Sequence, residues 1–175
     1  MILDIAYFGN PILRKKADPI PEITPEIKIL AQNMIETMYH YNGIGLAAPQ
    51  VKQSIRLFVT CAEKEDENGE VHFGPPRIFI NPILKSHSAT LVEAFEGCIS
   101  IPKVRGPVIR PYSVIVEAID LEGNAFSQEF FGYIARLMMH ENDHLNGVLF
   151  LDRMKMKLRE KLEPALREIK KQYNS

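Results

Sequence analysis

Met139-His140-Glu141-Asn142-Asp143-His144-Leu145-Asn146-Gly147 is the stretch on which the reading of this chain turns. His140 and His144 are four residues apart. On a helix that spacing stacks both imidazoles on one face, with roughly 5–6 Å between Cβ atoms, close enough to share one metal ion. Glu141, beside the first histidine, places a carboxylate where it can reach a metal-bound water and carry its proton. Asn146-Gly147 reads as a C-terminal stop, because glycine supplies the left-handed residue that helix ends use. Two surface histidines on an amphipathic helix would explain the spacing but not its coincidence with the Glu and the stop. A His-Glu-x-x-His helix specifies a metal hydrolase, and the third ligand decides which kind.

The candidate third ligand is Cys98, in Glu96-Gly97-Cys98-Ile99-Ser100, with Pro102 just beyond. A Cys-His-His set that leaves one position for water is a catalytic coordination pattern, since structural sites close with four protein ligands. The other cysteine, Cys61, follows a strand-like run and reads as a buried, inert thiol. Two cysteines are too few for a disulfide framework, and the start Met1-Ile2-Leu3-Asp4 resembles neither a secretory nor a transit peptide. The expectation is a reduced, cytoplasmic protein.

At 175 residues the chain is long enough for one well-cored domain, with 46% apolar and 25% charged residues. A net charge of −1 offers no electrostatic case for nucleic acid or an anionic membrane. No apolar run approaches the ~20 residues of a membrane span.

Prolines punctuate residues 1–23 and exclude a long helix there. Thr24-Pro25 then reads as N-cap and first helical residue, followed by Ile27, Leu30, Ala31, Met34, Ile35 and Met38 on one apolar stripe that ends at Tyr41-Asn42-Gly43. Residues 43–50 read as a small-residue loop whose backbone can come close to a neighbouring strand or a bound peptide, and they lack the spacing of a phosphate loop. Strands are expected at Ile55 to Thr60, at Arg77 to Asn81 with Pro82 ending it or confining it to an edge, and at Val114 to Ile119 and Ala125 to Phe131 as a hairpin. Glu63 to Gly74, with Asn68-Gly69, reads as an exposed hairpin or excursion, and His40, His72 and His87 as surface histidines. From Asp152 onward the chain is helical in tendency, kinked or restarted at Glu163-Pro164. It carries Arg153, Lys155, Lys157, Arg159, Lys161, Arg167, Lys170 and Lys171 against Asp152, Glu160, Glu163 and Glu168. That face suits either solvent or an anionic partner.

With these motifs in place, the sequence resembles the peptide deformylase family. The Gly-apolar-Gly-apolar-Ala-Ala-x-Gln loop is residues 43–50, Glu-Gly-Cys-apolar-Ser is residues 96–100, and His-Glu-x-x-His running on to Leu-x-Gly is residues 140–147. The Asn10-Pro11-Ile12-Leu13-Arg14 arm and Asn81-Pro82 extend the resemblance over about residues 1–155. Met139 departs from it, standing where the family commonly has Gln, and Ile99 replaces a more usual Leu.

The resemblance implies a metal-dependent hydrolase that removes the N-formyl group from the N-terminal methionine of new proteins and releases formate. By the same resemblance Cys98, His140 and His144 hold one divalent ion whose bound water attacks. Fe²⁺ is the expected ion, with Zn²⁺ or Ni²⁺ able to take its place. Glu141 is the general base and acid, while the Gln50 amide and the Ile99 backbone N–H stabilise the oxyanion. Gly45 bonds the substrate backbone. Ile44, Arg105, Tyr133 and Leu137 line the pocket for the methionine side chain. The implied partners are N-formylmethionyl nascent chains, with the basic C-terminal helix a further contact to the ribosome, and with neither a membrane nor sequence-specific nucleic acid among them.

A zinc endopeptidase shares His-Glu-x-x-His, but here the third ligand lies upstream and is a cysteine. A non-catalytic module with a structural metal lacks a fourth ligand and leaves Glu141 without a task. A relative acting on another N-acyl group remains compatible with the same residues. The expected architecture is α+β: a single catalytic domain, 1–175, with mixed or antiparallel strands around a central metal-binding helix. An N-terminal helix and a C-terminal helical tail at 152–175 complete it.

Overall fold

The computed structural model describes residues 1–174. Helix α1 (Pro25–His40) begins as its sequence directs. Thr24 Oγ1 accepts from the Ile27 N–H at 3.3 Å, and Pro25 takes the first position, where no N–H is needed. Its Met34, Ile35 and Met38 pack with Leu46, Leu57, Val59 and Ile80 on one face of a sheet.

That sheet has five antiparallel strands in the order β1-β2-β3-β6-β7. They are β1 (Gly45–Ala47), β2 (Leu57–Glu65), β3 (Val71–Lys85), β6 (Ser113–Ile119) and β7 (Ala125–Phe131). On its opposite face Phe58, Phe79, Val114 and Val116 meet Ile134, Ala135, Met138 and Leu145 of helix α2 (Gly132–Leu145). Leu57, Phe58 and Val59 thus alternate between the two cores, as the period of a strand requires. A second sheet, β4 (Leu91–Cys98) paired antiparallel with β5 (Ile101–Pro111), joins α2 through Arg136, whose guanidinium donates to the Val92 and Val108 carbonyls. Helix α2 therefore runs between two sheets, fixed from both.

The tail is broken into α3 (Met156–Glu160) and α4 (Glu163–Tyr173), a fresh start at Glu163. Leu166 and Ile169 of α4 close a third core with Ala6, Phe8, Leu13, Ile101 and Val108. Among the described residues no helix is long and apolar enough to cross a membrane.

Three expectations need correction. Strand β3 is central and runs through Pro82, which neither ends it nor makes it an edge. The ladder to β6 shifts register between Ile80 and Ile83, and Asn81 adopts φ 50°. That shift leaves Asn81 and Pro82 outside the regular ladder, so no ladder N–H is required of the proline, and the Asn81 side chain accepts from the Ile20 N–H and donates to the Ile20 carbonyl, each at 2.8 Å. The loop 43–50 contains strand β1 and a 3-10 turn at Ala48–Val51. The β4–β5 pair went unforeseen.

The stop after α2 holds as read, with Asn146 capping and Gly147 at φ 72°. A Cβ on Gly147 would meet the Arg14 carbonyl oxygen at 2.5 Å. Gly147→Ala is expected to destabilise the protein by about 1–3 kcal/mol, from the left-handed backbone together with that contact, read as a lower urea midpoint.

Candidate active site

The two-sheet arrangement delivers the site from two elements, helix α2 and the end of β4. Helix α2 carries His140 and His144 on adjoining turns, with ring centroids 5.1 Å apart. The end of β4 brings Cys98, whose Sγ lies 3.3 Å from His144 Nε2. The ligand atoms of Cys98, His140 and His144 all fall within 4.8 Å of one another.

Each histidine is set electrostatically. His140 Nδ1 pairs with Glu96 Oε1 at 2.8 Å, which leaves Nε2 for a ligand. Burial works against a charged His140 ring, but Cys98 and Glu96 outweigh it and raise the ring well above an ordinary histidine. Burial, reinforced by His140, pushes His144 well below the ordinary value, so it presents a neutral ring with a lone pair. One thiol and two imidazoles converging on a buried point, one imidazole held neutral, fit a divalent cation.

Behind His140 lies a buried ionic chain. Arg110, 3% exposed, donates from Nε and Nη2 to the two Glu96 oxygens at 2.7 and 2.9 Å, and from Nη1 to Asp143 at 3.0 Å. Arg136 donates to Glu96 at 2.7 Å, and Arg153 grips Asp143 at 2.6 and 2.8 Å. Burial would raise the Glu96 carboxyl, yet Arg110 and His140 together hold it well below the usual carboxylate range. Glu96 and Asp143 stand inside the sequence motifs, but nothing in those motifs marks this role. Their arginines gave no signal, since Arg110 and Arg136 stand 14 and 40 residues from Glu96.

On the open side is a cleft of about 560 Å³. It is lined by Ile44, Gly45, Gln50, Cys98, Ile99, Arg105, Tyr133, Leu137, His140 and Glu141, whereas His144, 1% exposed, lies beneath it. Ile99 occupies the two-residue turn that joins Cys98 to its β5 partner Ile101. Gln50 Nε2 lies 3.3 Å from Cys98 Sγ. Glu141 is 3% exposed, its Oε2 has no hydrogen-bond partner, and burial pushes its carboxyl up to about 7. Such a carboxyl exchanges a proton near neutrality, and the geometry suits general acid-base catalysis at a metal-assisted hydrolytic centre. Met139 turns away into the core between α2 and the five-stranded sheet. His40, His72 and His87 are exposed, and Cys61 is buried.

A family model described as polypeptide deformylase matches residues 2–160. A peptide deformylase of Salinibacter ruber is 42% identical over 173 residues, covering 97% of this chain and 89% of that protein. Among solved structures, Arabidopsis thaliana peptide deformylase 1B in complex with an inhibitor superposes with a TM-score of 0.87 at 37% identity, over 98% of this chain and 92% of that one. A class I type b peptide deformylase from Acinetobacter baumannii with Met-Ala-Ser bound gives 0.82 at 33% identity, over 88% and 99%.

Proposed function

The chain belongs to the polypeptide deformylase family, and from that premise we propose that it removes the formyl group from the N-terminal methionine of nascent chains, releasing formate and a free amine. The observation that carries the reading is the convergence of Cys98, His140 and His144 beside an unpartnered, buried Glu141. The Met-Ala-Ser bound to the A. baumannii relative has the composition of such a product, which supports the same reading.

Cys98, His140 and His144 would hold one divalent ion, which supplies a Lewis acid that lowers the pKa of water toward neutrality. Family resemblance favours Fe²⁺, and the mixed thiolate-imidazole set also suits Zn²⁺ or Ni²⁺. Glu141 takes the proton of the attacking water and hands it to the departing nitrogen, a cycle suited to a carboxyl near 7. As the formyl carbon becomes tetrahedral, the Gln50 Nε2–H and the Ile99 N–H donate to its oxygen. Ile44, Tyr133, Leu137 and the stem of Arg105 receive the methionine side chain, and Gly45 bonds the substrate backbone. The chain acts as one catalytic domain, and α3 and α4 form its helical tail. The charge on α3 and α4 supports contact with an anionic surface such as the ribosome's.

Gly45 has to be glycine for this. A Cβ there would meet Glu141 Oε1 at 2.7 Å and Leu137 Cδ1 at 2.8 Å. Gly45→Ala is expected to lower kcat/KM by about 10–100-fold by displacing the base and the pocket wall, with little change in the melting temperature.

The proposal is tested by metal uptake together with turnover. Protein stripped by chelator takes up one divalent ion per chain and regains formate release from a formyl-Met peptide, while Cys98→Ser loses both. Full turnover by the stripped protein would refute the assignment.

A further inference from the structure

Ser100 closes the cysteine motif, yet none of the roles above uses it. It has no exposed surface, and its carbonyl is tied to the N-terminal arm by the Phe8 N–H at 2.9 Å. Its hydroxyl faces Gln50, where Oγ accepts from Nε2 at 3.2 Å. The other end of that amide is fixed as well, with Oε1 accepting from the Ala47 N–H at 2.9 Å. Gln50 itself is 1% exposed.

A primary amide carries one acceptor oxygen and two N–H donors. The Ala47 N–H settles which end is oxygen, since a donor there rejects the amine. Ser100 Oγ then occupies one of the two Nε2 hydrogens. The other is aimed toward Cys98 Sγ, 3.3 Å away, at the edge of the cleft. The terminal torsion of a glutamine is otherwise broad, so without these two anchors the donor would sweep an arc. Oxyanion stabilisation depends on donors that are already aimed when charge develops.

The geometry points to Ser100 as a positioning residue: its hydroxyl locks the Gln50 amide so that the second N–H is held beside Cys98 Sγ at the edge of the cleft, within reach of an oxyanion formed there. This rests on the reading of Gln50 as an oxyanion donor.

A double-mutant cycle on the metal-loaded enzyme tests it, with kcat and KM for a formyl-Met peptide measured for Ser100→Ala, Gln50→Ala and the pair. Gln50→Ala is expected to lower kcat by about 10²–10³-fold. Ser100→Ala lowers kcat by about tenfold, the scale of one lost hydrogen bond, with KM within about twofold. In the Gln50→Ala background, Ser100→Ala adds no further loss. Ser100→Cys, close in volume but a weak acceptor, repeats the alanine result and so separates the hydroxyl from the space it fills. An equal loss from Ser100→Ala in both backgrounds, or full activity in Ser100→Cys, overturns the positioning role. If Gln50→Ala leaves kcat unchanged, the oxyanion reading of Gln50 fails and takes this role with it.

Discussion

Replacing Glu141 by alanine lowers formate release by about 10³-fold, within the 10²–10⁴ range of a lost general base, while the protein stays at least as stable as the parent. The two halves of that result have one cause. Glu141 is 3% exposed and its Oε2 has no partner, so the folded protein bears the desolvation of a carboxylate and gains little bonding in return. Burial has already pushed the carboxyl up to about 7, a direct sign of that cost. A side chain that burdens the fold and is retained has its reason in the chemistry. Glu141→Gln keeps the shape and removes the proton exchange, so it should match alanine in rate. Because the base must be ionised to take a proton, the parent's rate rises with pH through the Glu141 pKa, and that limb disappears in both variants. Steady-state rates across pH together with thermal melts check this. A drop in melting temperature equal to that of a core truncation would mean that Glu141 is structural.

The second large effect belongs to Arg110, where stability and metal affinity fall together. Its guanidinium bonds both Glu96 oxygens and Asp143 while almost wholly out of water. Arg110→Met fills the space but leaves two buried carboxylates short of a cation. Breaking a buried pair in this way costs about 3–5 kcal/mol, and the lower end applies because Arg136 and Arg153 remain. The same loss reaches the metal centre. Burial already favours a protonated Glu96, and Arg110 is foremost in opposing it, so the variant weakens the acceptor that orients His140. Metal affinity is expected to fall about 10–100-fold, the usual scale for a group one bond behind a ligand. Chelator competition measures the affinity, and urea unfolding measures the stability. Glu96→Gln combined with Arg110→Met should recover part of the stability, because the uncompensated carboxylate at Glu96 is gone, but none of the affinity.

How much of this was legible in the sequence depended on distance along the chain. The metal helix and α1 declared themselves through residues no more than eight positions apart: the His140/His144 pair, the Thr24-Pro25 start, the apolar stripe and the Gly147 stop. Those features act within one or two turns, where sequence spacing and spatial proximity coincide. The small-residue loop was legible as a place of close approach to a neighbouring strand, and Gly45–Ala47 pairs there with Phe58–Thr60 of β2. The β4–β5 pair was not, because Pro102, Pro107 and Pro111 interrupt any alternating pattern and its burial comes from contacts made elsewhere. Strand β3 was cut short at Pro82 for a related reason: only its register against the distant β6, which shifts between Ile80 and Ile83, shows why a proline is tolerated there. The Arg110–Glu96–His140 chain joins three elements over 44 positions, and nothing local marks arginines bound for a core.

Every residue role above serves one reaction in the cleft beside Cys98, His140 and His144, hydrolysis of an N-formyl group from methionine. The most direct measurement is formate release from a short formyl-Met peptide by anaerobically prepared protein reloaded with iron, nickel or zinc, alongside the acetyl-Met peptide. Rapid formate release is expected with at least one of these ions, with a free methionine amine as co-product and little acetate from the second peptide. No formate with any ion, in protein shown to carry one ion per chain, would contradict it.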